Sequence, residues 1–211
     1  MKITHLGHSS VLIETEVRIL IDPGNFSRAW HGLTDLDAIV VTHAHLDHID
    51  PDHLPRLLEN NSSARLLVEP SISGSVDLPS AEGLAAGTTA KIGKTEIEAI
   101  GGLHAIIHRD IPRIGNVGVV IREEGEPTFF HPGDAVDVAP EGVDIAGIPT
   151  HAPWCAMKEI IDFTRVLGAK HGFLIHDGLV NERGWGLTFS RLTEMTETSL
   201  TDIRDGEPLV I

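Results

Sequence analysis

Apolar residues in the first half of the chain fall in short runs cut by glycine or charged turns. On this basis residues 2–7 (KITHLG), 10–15 (SVLIET) and 17–22 (VRILID) read as strands. Residues 37–43 (DAIVVTH) form an unbroken apolar run ending in polar residues, the pattern of a strand buried on both faces. The period then changes. Within residues 50–61 (DPDHLPRLLENN), Leu54, Leu57 and Leu58 share one helical face, with Asp50 placed as N-cap and Pro51 at the first helical position. Residues 65–70 (RLLVEP) return to a strand. The Ser-, Gly-, Ala- and Pro-rich stretch from Ser71 to Ala90 predicts loops with a short helix.

The second half mixes the two periods. Residues 89–93 (TAKIG) and 95–101 (TEIEAIG) predict strands, and residues 116–134 (NVGVVIREEGEPTFFHPGD) predict a hairpin turning at EEGE. Residues 143–149 (VDIAGIP) and 171–178 (HGFLIHDG) are further strands. Residues 157–170 predict a helix with Ile160, Phe163 and Leu167 on one face and Gly168 near its C-cap. Residues 187–200 predict another helix, and EPLVI at 207–211 an edge strand. No internal repeat is visible. Strands followed by strands alternating with helices predict an α/β fold, two packed sheets with helices outside. A length of 211 residues suits a single domain spanning 1–211.

Composition narrows the function classes. Hydrophobic residues make up 41% and charged residues 22%, which supports a folded core rather than disorder. The net charge is −15 with no Lys/Arg cluster, so a nucleic-acid partner is not expected. No apolar run approaches the roughly 18–20 residues of a membrane span. The first residues lack the charged-then-apolar pattern of a secretory signal, so the expectation is a cytoplasmic protein acting on a small molecule. The single cysteine, Cys155, excludes an intrachain disulfide and a cysteine metal cage.

The thirteen histidines gather in a few places, above all in VVTHAHLDHIDPDHL at residues 40–54. Residues two apart in an extended chain point the same way, so His43 and His45 can grip one ion. The turn that follows can carry Asp47 and His48 to a second point. Imidazole with carboxylate suits Zn2+, Mn2+ or Fe. One array cannot close a two-ion site. His104 after TEIEAI, Asp134 after TFF and His176 after FLI are candidates for the remaining ligands. All follow strand C-termini, where α/β folds gather functional side chains. An aspartate so placed can span two cations with its two oxygens. His108, four residues beyond His104, is the alternative at that position.

With LGHSSVLIET, ILIDP, THAHLDH, HPGD and IHDG in this order, the sequence resembles the metallo-β-lactamase superfamily. Within it, the chain is similar to compact hydrolases near the ascorbate-6-phosphate lactonase and N-acyl-phosphatidylethanolamine phospholipase D branches. The resemblance covers nearly the whole chain. It implies an αββα four-layer sandwich with a dinuclear metal site at one edge of the sheets. It assigns His43, His45 and His104 to the first metal, Asp47, His48 and His176 to the second, and Asp134 to both. The expected cofactors are two divalent ions, Zn2+ first, with Mn2+ or Fe as alternatives. The expected activity is hydrolysis of a small ester, lactone, amide or phosphodiester by a metal-bridging hydroxide, with Asp47 both ligating and accepting a proton. The competing class is an iron-dependent oxidoreductase on the same scaffold, acting on thiols or dioxygen.

Other residues carry two readings each. Asp22 is a hydrogen-bond acceptor behind a metal-bound histidine, or a strand-end turn with Pro23. His8 and Ser9 lie under the site, or His8 is a satisfied core histidine. His131 reads as structural. His151, in THAPWC, is a catalytic proton donor to a leaving group or binds an anion, or is a polar loop residue. Arg109 and Arg113 bind an anion or sit in a solvated loop. Trp154 and Trp185 wall a pocket or pack. Cys155 has no pattern around it that makes a nucleophile. The cleft is bordered by some of residues 71–83, 104–113, 150–155 and 179–186.

Overall fold

The structure, a computed structural model, describes residues 1–74, 78 and 80–211. Residues 75–77 and 79, part of the stretch 71–83 expected to border the cleft, lie outside the described residues. The first sheet starts as an antiparallel meander of β1 (Lys2–His5), β2 (Val11–Glu14) and β3 (Arg18–Ile21). It continues in parallel through β4 (Ala38–Val41), β5 (Arg65–Val68) and β6 (Ala81–Gly83). The second sheet starts the same way, with β7 (Thr89–Ile92), β8 (Thr95–Gly101), β9 (Val117–Arg122) and β10 (Phe129–His131) antiparallel. The strands β11 (Ile145–Pro149), β12 (His171–Ile175) and β13 (Ser199–Leu200) then add in parallel. The last strand, β14 (Leu209–Val210), returns to the first sheet as the edge beside β1, where an edge strand was expected.

Three apolar layers account for four structural layers. Between the sheets lie inward-facing residues of both, including Ile13, Ile19, Val40, Val119, Phe129 and Phe173. On the outer face of the second sheet, Ile160, Phe163 and Leu167 of α2 (Met157–Leu167) and Trp185 and Leu192 of α3 (Glu182–Met195) cover Val120, Phe130 and Leu174. On the outer face of the first sheet, Leu54 and Leu57 of α1 (Leu54–Asn60) join Trp30 and Ile49 over Leu20, Ile39 and Val41. This explains the runs without alternation: β4 and β11 are buried at every position because both faces are covered. The fold is the α/β sandwich that the hydrophobic pattern and the resemblance implied.

Local details differ from expectation at the helix ends. Asp50 does not cap α1. Its Oδ1 accepts from the backbone N–H groups of Asp52 and His53, so it caps the turn ahead of the helix, and Pro55 rather than Pro51 stands in the first helical turn. The helix α3 begins at Glu182, earlier than expected, because Asn181 accepts from the N–H groups of Arg183 and Gly184. Residues 199–200, expected to be helical, form β13. Gly168 does end α2, with φ of 62°.

The segment after β3 braces the loop after β4. Asn25 N–H donates to Leu46 O at 2.8 Å and Asp50 N–H to Pro23 O at 2.9 Å. Between these straps, a Cβ on Gly24 would lie 1.8 Å from Asp47 O and 2.6 Å from His48 N. Those backbone atoms cannot yield without moving residues 47 and 48. Gly24→Ala is therefore expected to cost at least the ~1–3 kcal/mol of an overpacked interior. That is a fall in Tm of about 2–4 °C per kcal/mol for a chain of this size. Thermal melting followed by circular dichroism checks this, and an unchanged Tm contradicts the close approach.

Candidate metal centre

The loops after β4, β8, β10 and β12 meet at one edge of the sandwich. Each brings ligand-type side chains that the sequence had singled out. Two clusters result: His43, His45, His104 and Asp134 in one, and His8, Asp47, His48 and His176 in the other, the donor atoms within each lying within 4.8 Å of one another. Asp134 touches both. Its Oδ1 lies 3.0 Å from His48 Nε2, and its Oδ2 lies 3.3 Å from His104 Nε2, 3.4 Å from His176 Nε2 and 3.6 Å from His43 Nε2. Asp47 Oδ2 lies 3.6 Å from His176 Nε2 and 3.9 Å from His48 Nε2. His104, not His108, is brought into the cluster. The His108 ring is exposed and its Nδ1 accepts from the Asp110 N–H.

Outer hydrogen bonds fix which ring nitrogen faces the centre. Thr42 N–H donates to Asp22 Oδ1 and Thr42 Oγ1 to Asp22 Oδ2, each at 2.8 Å. The Thr42 hydroxyl therefore accepts from His43 Nδ1 at 3.0 Å, which leaves the His43 Nε2 lone pair pointing inward. His48 Nδ1 donates to Asp22 Oδ2 at 2.6 Å, His104 Nδ1 to Ala105 O at 2.7 Å and His176 Nδ1 to His151 O at 2.7 Å. Metal-ligating histidines hold their rings in this way. The consequence is a set of orphans. His48 Nε2, His104 Nε2, His176 Nε2 and Asp134 Oδ1 are buried without a hydrogen bond. Four such atoms gathered around one carboxylate are costly unless electron-pair acceptors sit among them. Divalent cations fit this all-nitrogen-and-oxygen set.

His8 falls in the second cluster by distance but not by chemistry. Its Nδ1 accepts from the Gly178 N–H at 3.0 Å, and burial holds its pKa below the usual histidine range. The neutral ring therefore carries its proton on Nε2, which donates to Asp47 Oδ2 at 3.0 Å. His8 steadies Asp47 and has no free lone pair for an ion. Its main chain is also part of the site, since His8 O accepts from His176 N–H at 2.8 Å. Four non-glycine residues among those described have positive φ. Three of them, His8 (53°), Asp22 (50°) and His176 (57°), stand here, where strain is commonly held by surrounding structure.

The charges in the centre are strongly coupled. Burial, reinforced by His48, keeps His43 well below the histidine range. Burial also opposes a charge on His48, but Asp134 and Asp22 outweigh it and lift His48 well above that range. For Asp134, burial opposes ionisation and the nearby His48 and His43 overcome it, so the carboxyl lies well below its ordinary value. Asp47 follows the same pattern, its burial outweighed by the His8 hydrogen bond and by His48, which bring it to about 2. Buried carboxylates here draw positive charge from whatever is near.

Supporting residues were only partly legible. Asp22 accepts from His48, as one of its two readings held. His131 is structural, donating through Nε2 to Ser9 O and accepting Gly133 N–H at Nδ1. Asn116 was missed. Its Oδ1 accepts Asp134 N–H at 2.9 Å and its Nδ2 donates to Pro132 O at 3.1 Å, fixing the HPGD turn. At Gly133 in that turn, with φ of 60°, a Cβ would lie 2.3 Å from Asn116 Oδ1. The Trp154 indole N–H donates to Asp134 Oδ2 at 2.9 Å, a role beyond packing. Trp185 packs in the outer core and beneath Arg204, whose guanidinium carbon lies 3.6 Å from its ring centre. The His151 ring is exposed, and no hydrogen bond or ion pair among the described residues joins it to the centre. Its carbonyl, however, holds His176. Arg113 Nε donates to His104 O, and Arg109 is a solvated side chain. Burial pushes the Cys155 thiol up to about 12, so it stays protonated at neutral pH.

A third group, His31, Asp50 and His53, also has ligand atoms within 4.8 Å. Its two rings stack with centroids 4.2 Å apart at 16°, so their in-plane lone pairs run side by side instead of converging on an ion.

The family described as "Beta-lactamase superfamily domain" matches residues 2–172. The Mycobacterium tuberculosis protein Rv0786c is 38% identical over 200 residues, covering 94% of each chain. By fold, the chain is similar to a metallo hydrolase from the hyperthermophilic archaeon Ignicoccus hospitalis, with TM-score 0.75, 20% identity and coverage of 99% of this chain and 97% of that one. It is similar also to CmlA, a diiron β-hydroxylase from Streptomyces venezuelae, with TM-score 0.68, 18% identity and coverage of 94% of this chain but 52% of that one.

If His8 acts as a donor to Asp47, the conservative variant should preserve it. His8→Gln can place an amide N–H near Asp47, whereas His8→Phe cannot. Zinc titration by calorimetry is expected to show His8→Phe weakening the second equivalent by about 10–100-fold, the usual cost of losing an outer-sphere partner, with His8→Gln near wild type. Equal losses in both variants would point to a ligand role instead.

Proposed function

On the premise that the chain belongs to the β-lactamase superfamily, we propose that it is a metal-dependent hydrolase with a dinuclear centre. His43, His45 and His104 would hold one ion, Asp47, His48 and His176 the other, and Asp134 both. The observation that carries this reading is the Asp134 carboxylate set between two groups of imidazoles, three of which, His48, His104 and His176, bring buried Nε2 atoms without a hydrogen bond to within 3.4 Å of it. The set contains nitrogen and oxygen donors only, which suits Zn2+ first and Mn2+ or Fe as alternatives.

Two such cations supply, when bound, a hydroxide at neutral pH and a positive field for a developing oxyanion. The chain's own residues prepare for that chemistry. The His8 N–H holds Asp47 Oδ2, and a pKa of about 2 keeps the carboxylate ionised. Asp47 Oδ1 stays without a hydrogen bond among the described residues, available to orient an attacking water and take its proton. The Trp154 indole N–H and the Asn116 amide fix Asp134 from two sides, so the carboxylate cannot rotate out of register. Asp22, through Thr42 and His48, keeps two rings aimed inward. Asp47 is the catalytic residue of this reading. The proton-donor role expected for His151 has no supporting side-chain contact. The substrate is a small molecule with an ester, lactone, amide or phosphodiester bond.

The likeness to a diiron β-hydroxylase supports a second reading, an iron-dependent oxidoreductase on the same ligands. Metal identity separates the two. Elemental mass spectrometry of the purified protein is expected to find two equivalents of zinc or manganese, with chelator-sensitive hydrolysis of a lactone and ester panel. Asp134→Ala should lose metal, and activity should fall by more than the ~10–100-fold typical of an outer-sphere loss. Cys155→Ser should keep turnover nearly intact. Iron with no hydrolysis would favour the oxidoreductase reading, and full activity in Asp134→Ala would remove the two-ion assignment.

A further inference from the structure

A cavity of about 600 Å³ lies beside the centre. That is the size of a small-molecule site. It shares walls with the centre. Trp154, on one side, donates to Asp134, and Ala105, on the other, accepts from His104 Nδ1 and donates its N–H to Asp134 O. Its remaining apolar lining comes from Ile106, Val136, Ala139, Phe163 and Val166. Two of these face water to an unusual degree: Ile106 is 65% exposed and Val166 77%.

They are not isolated. Leu46, Leu103 and Leu179 are also exposed large hydrophobics, and each stands within three residues of a histidine of the centre. Single exposed apolar residues need no explanation, but Ile106 and Val166 line the same cavity, and Leu46, Leu103 and Leu179 stand on the loops that carry the ligands. The polar residues of the cavity indicate what it rejects. Asp137, Glu159 and Asp162 line it too, and Asp162 has no hydrogen bond or ion pair among the described residues. The one cation there, Arg113, is engaged by His104 O and by Asp137 at 3.4 Å. With three carboxylates against one partly engaged guanidinium, the lining repels a carboxylate or phosphate on the occupant.

We propose that this cavity seats the non-reacting body of the substrate, and that the body is a hydrocarbon group without an anionic substituent. The inference rests on the hydrolase reading for what happens at the neighbouring centre, but not for the binding itself. It narrows the substrate class to lipophilic esters, lactones or amides with an uncharged tail, against molecules carrying phosphate or carboxylate along that tail. Positioning by such a tail lowers the entropic cost of bringing the labile bond to the centre.

The test is binding to the full-length protein as purified, followed at the Trp154 indole N–H signal, which Trp154→Phe assigns. Hexanamide, acetamide and adipamate, the last being hexanamide with a carboxylate at its far end, serve as probes. Hexanamide is expected to shift the signal saturably, with acetamide and adipamate each at least about 10-fold weaker. Val166→Asp, at an exposed position, should weaken hexanamide to a similar degree while leaving metal content and molecular mass unchanged. The proposal is overturned if hexanamide gives no shift, if adipamate binds as well, or if Val166→Asp has no effect. It is overturned also if Val166→Asp converts a dimer to a monomer in light scattering, which would make the face a contact between two copies. Zinc content on the same samples keeps the readings apart. Two equivalents without hexanamide binding removes this proposal alone, and hexanamide binding without metal removes the dinuclear reading alone.

Discussion

Asp134 is the residue on which the centre depends. It is a buried carboxylate with four imidazole Nε2 atoms between 3.0 and 3.6 Å away. A buried charge needs a counter-charge, and a buried lone pair needs an acceptor. Within the protein alone these demands are met poorly. His48 can be protonated against Asp134 and Asp22, but three of the Nε2 atoms have no hydrogen-bond partner. The two cations proposed for the site would answer both demands at once. The geometry thus fits metal through what the side chains lack, as much as through which side chains they are.

The fold supplies this arrangement by repeating one device. Each sheet begins as an antiparallel meander and ends in parallel strands, and the ligand loops leave strand C-termini at the same edge. The β4 loop delivers four of the seven proposed ligands. The loops after β8, β10 and β12 deliver one each. Braces hold them: the 23–25 segment under residues 46–50, Asn116 under Asp134, and His8 between Asp47, Gly178 and the His176 backbone. Positive φ at His8, Asp22 and His176 is tolerated because these hydrogen bonds leave the chain little alternative.

Much of this was legible in the sequence. A continuous apolar run marked the doubly covered strand β4, and the T-H-x-H-x-D-H array has no structural explanation as strong as a chemical one. His104, Asp134 and His176 could be named as candidates because each follows the C-terminal end of a strand, and the resemblance supplied their assignment. What could not be read was long-range hydrogen bonding. Nothing in the sequence near Asn116 or Trp154 points to Asp134, since both contacts cross loops far apart in the chain. His8 stayed divided between two readings because its role turns on which ring nitrogen meets Gly178, 170 residues away. Helix boundaries slipped where capping was local but shifted, at Asp50 and Asn181.

The most direct test of the account is anomalous diffraction at the zinc edge from crystals of the zinc-loaded protein. The account predicts two peaks flanking the Asp134 carboxylate, about 3.5–4 Å apart, with His8 Nε2 still directed at Asp47. A single peak, or a peak coordinated by His8, would contradict the assignment of ligands and the part given to His8 within it.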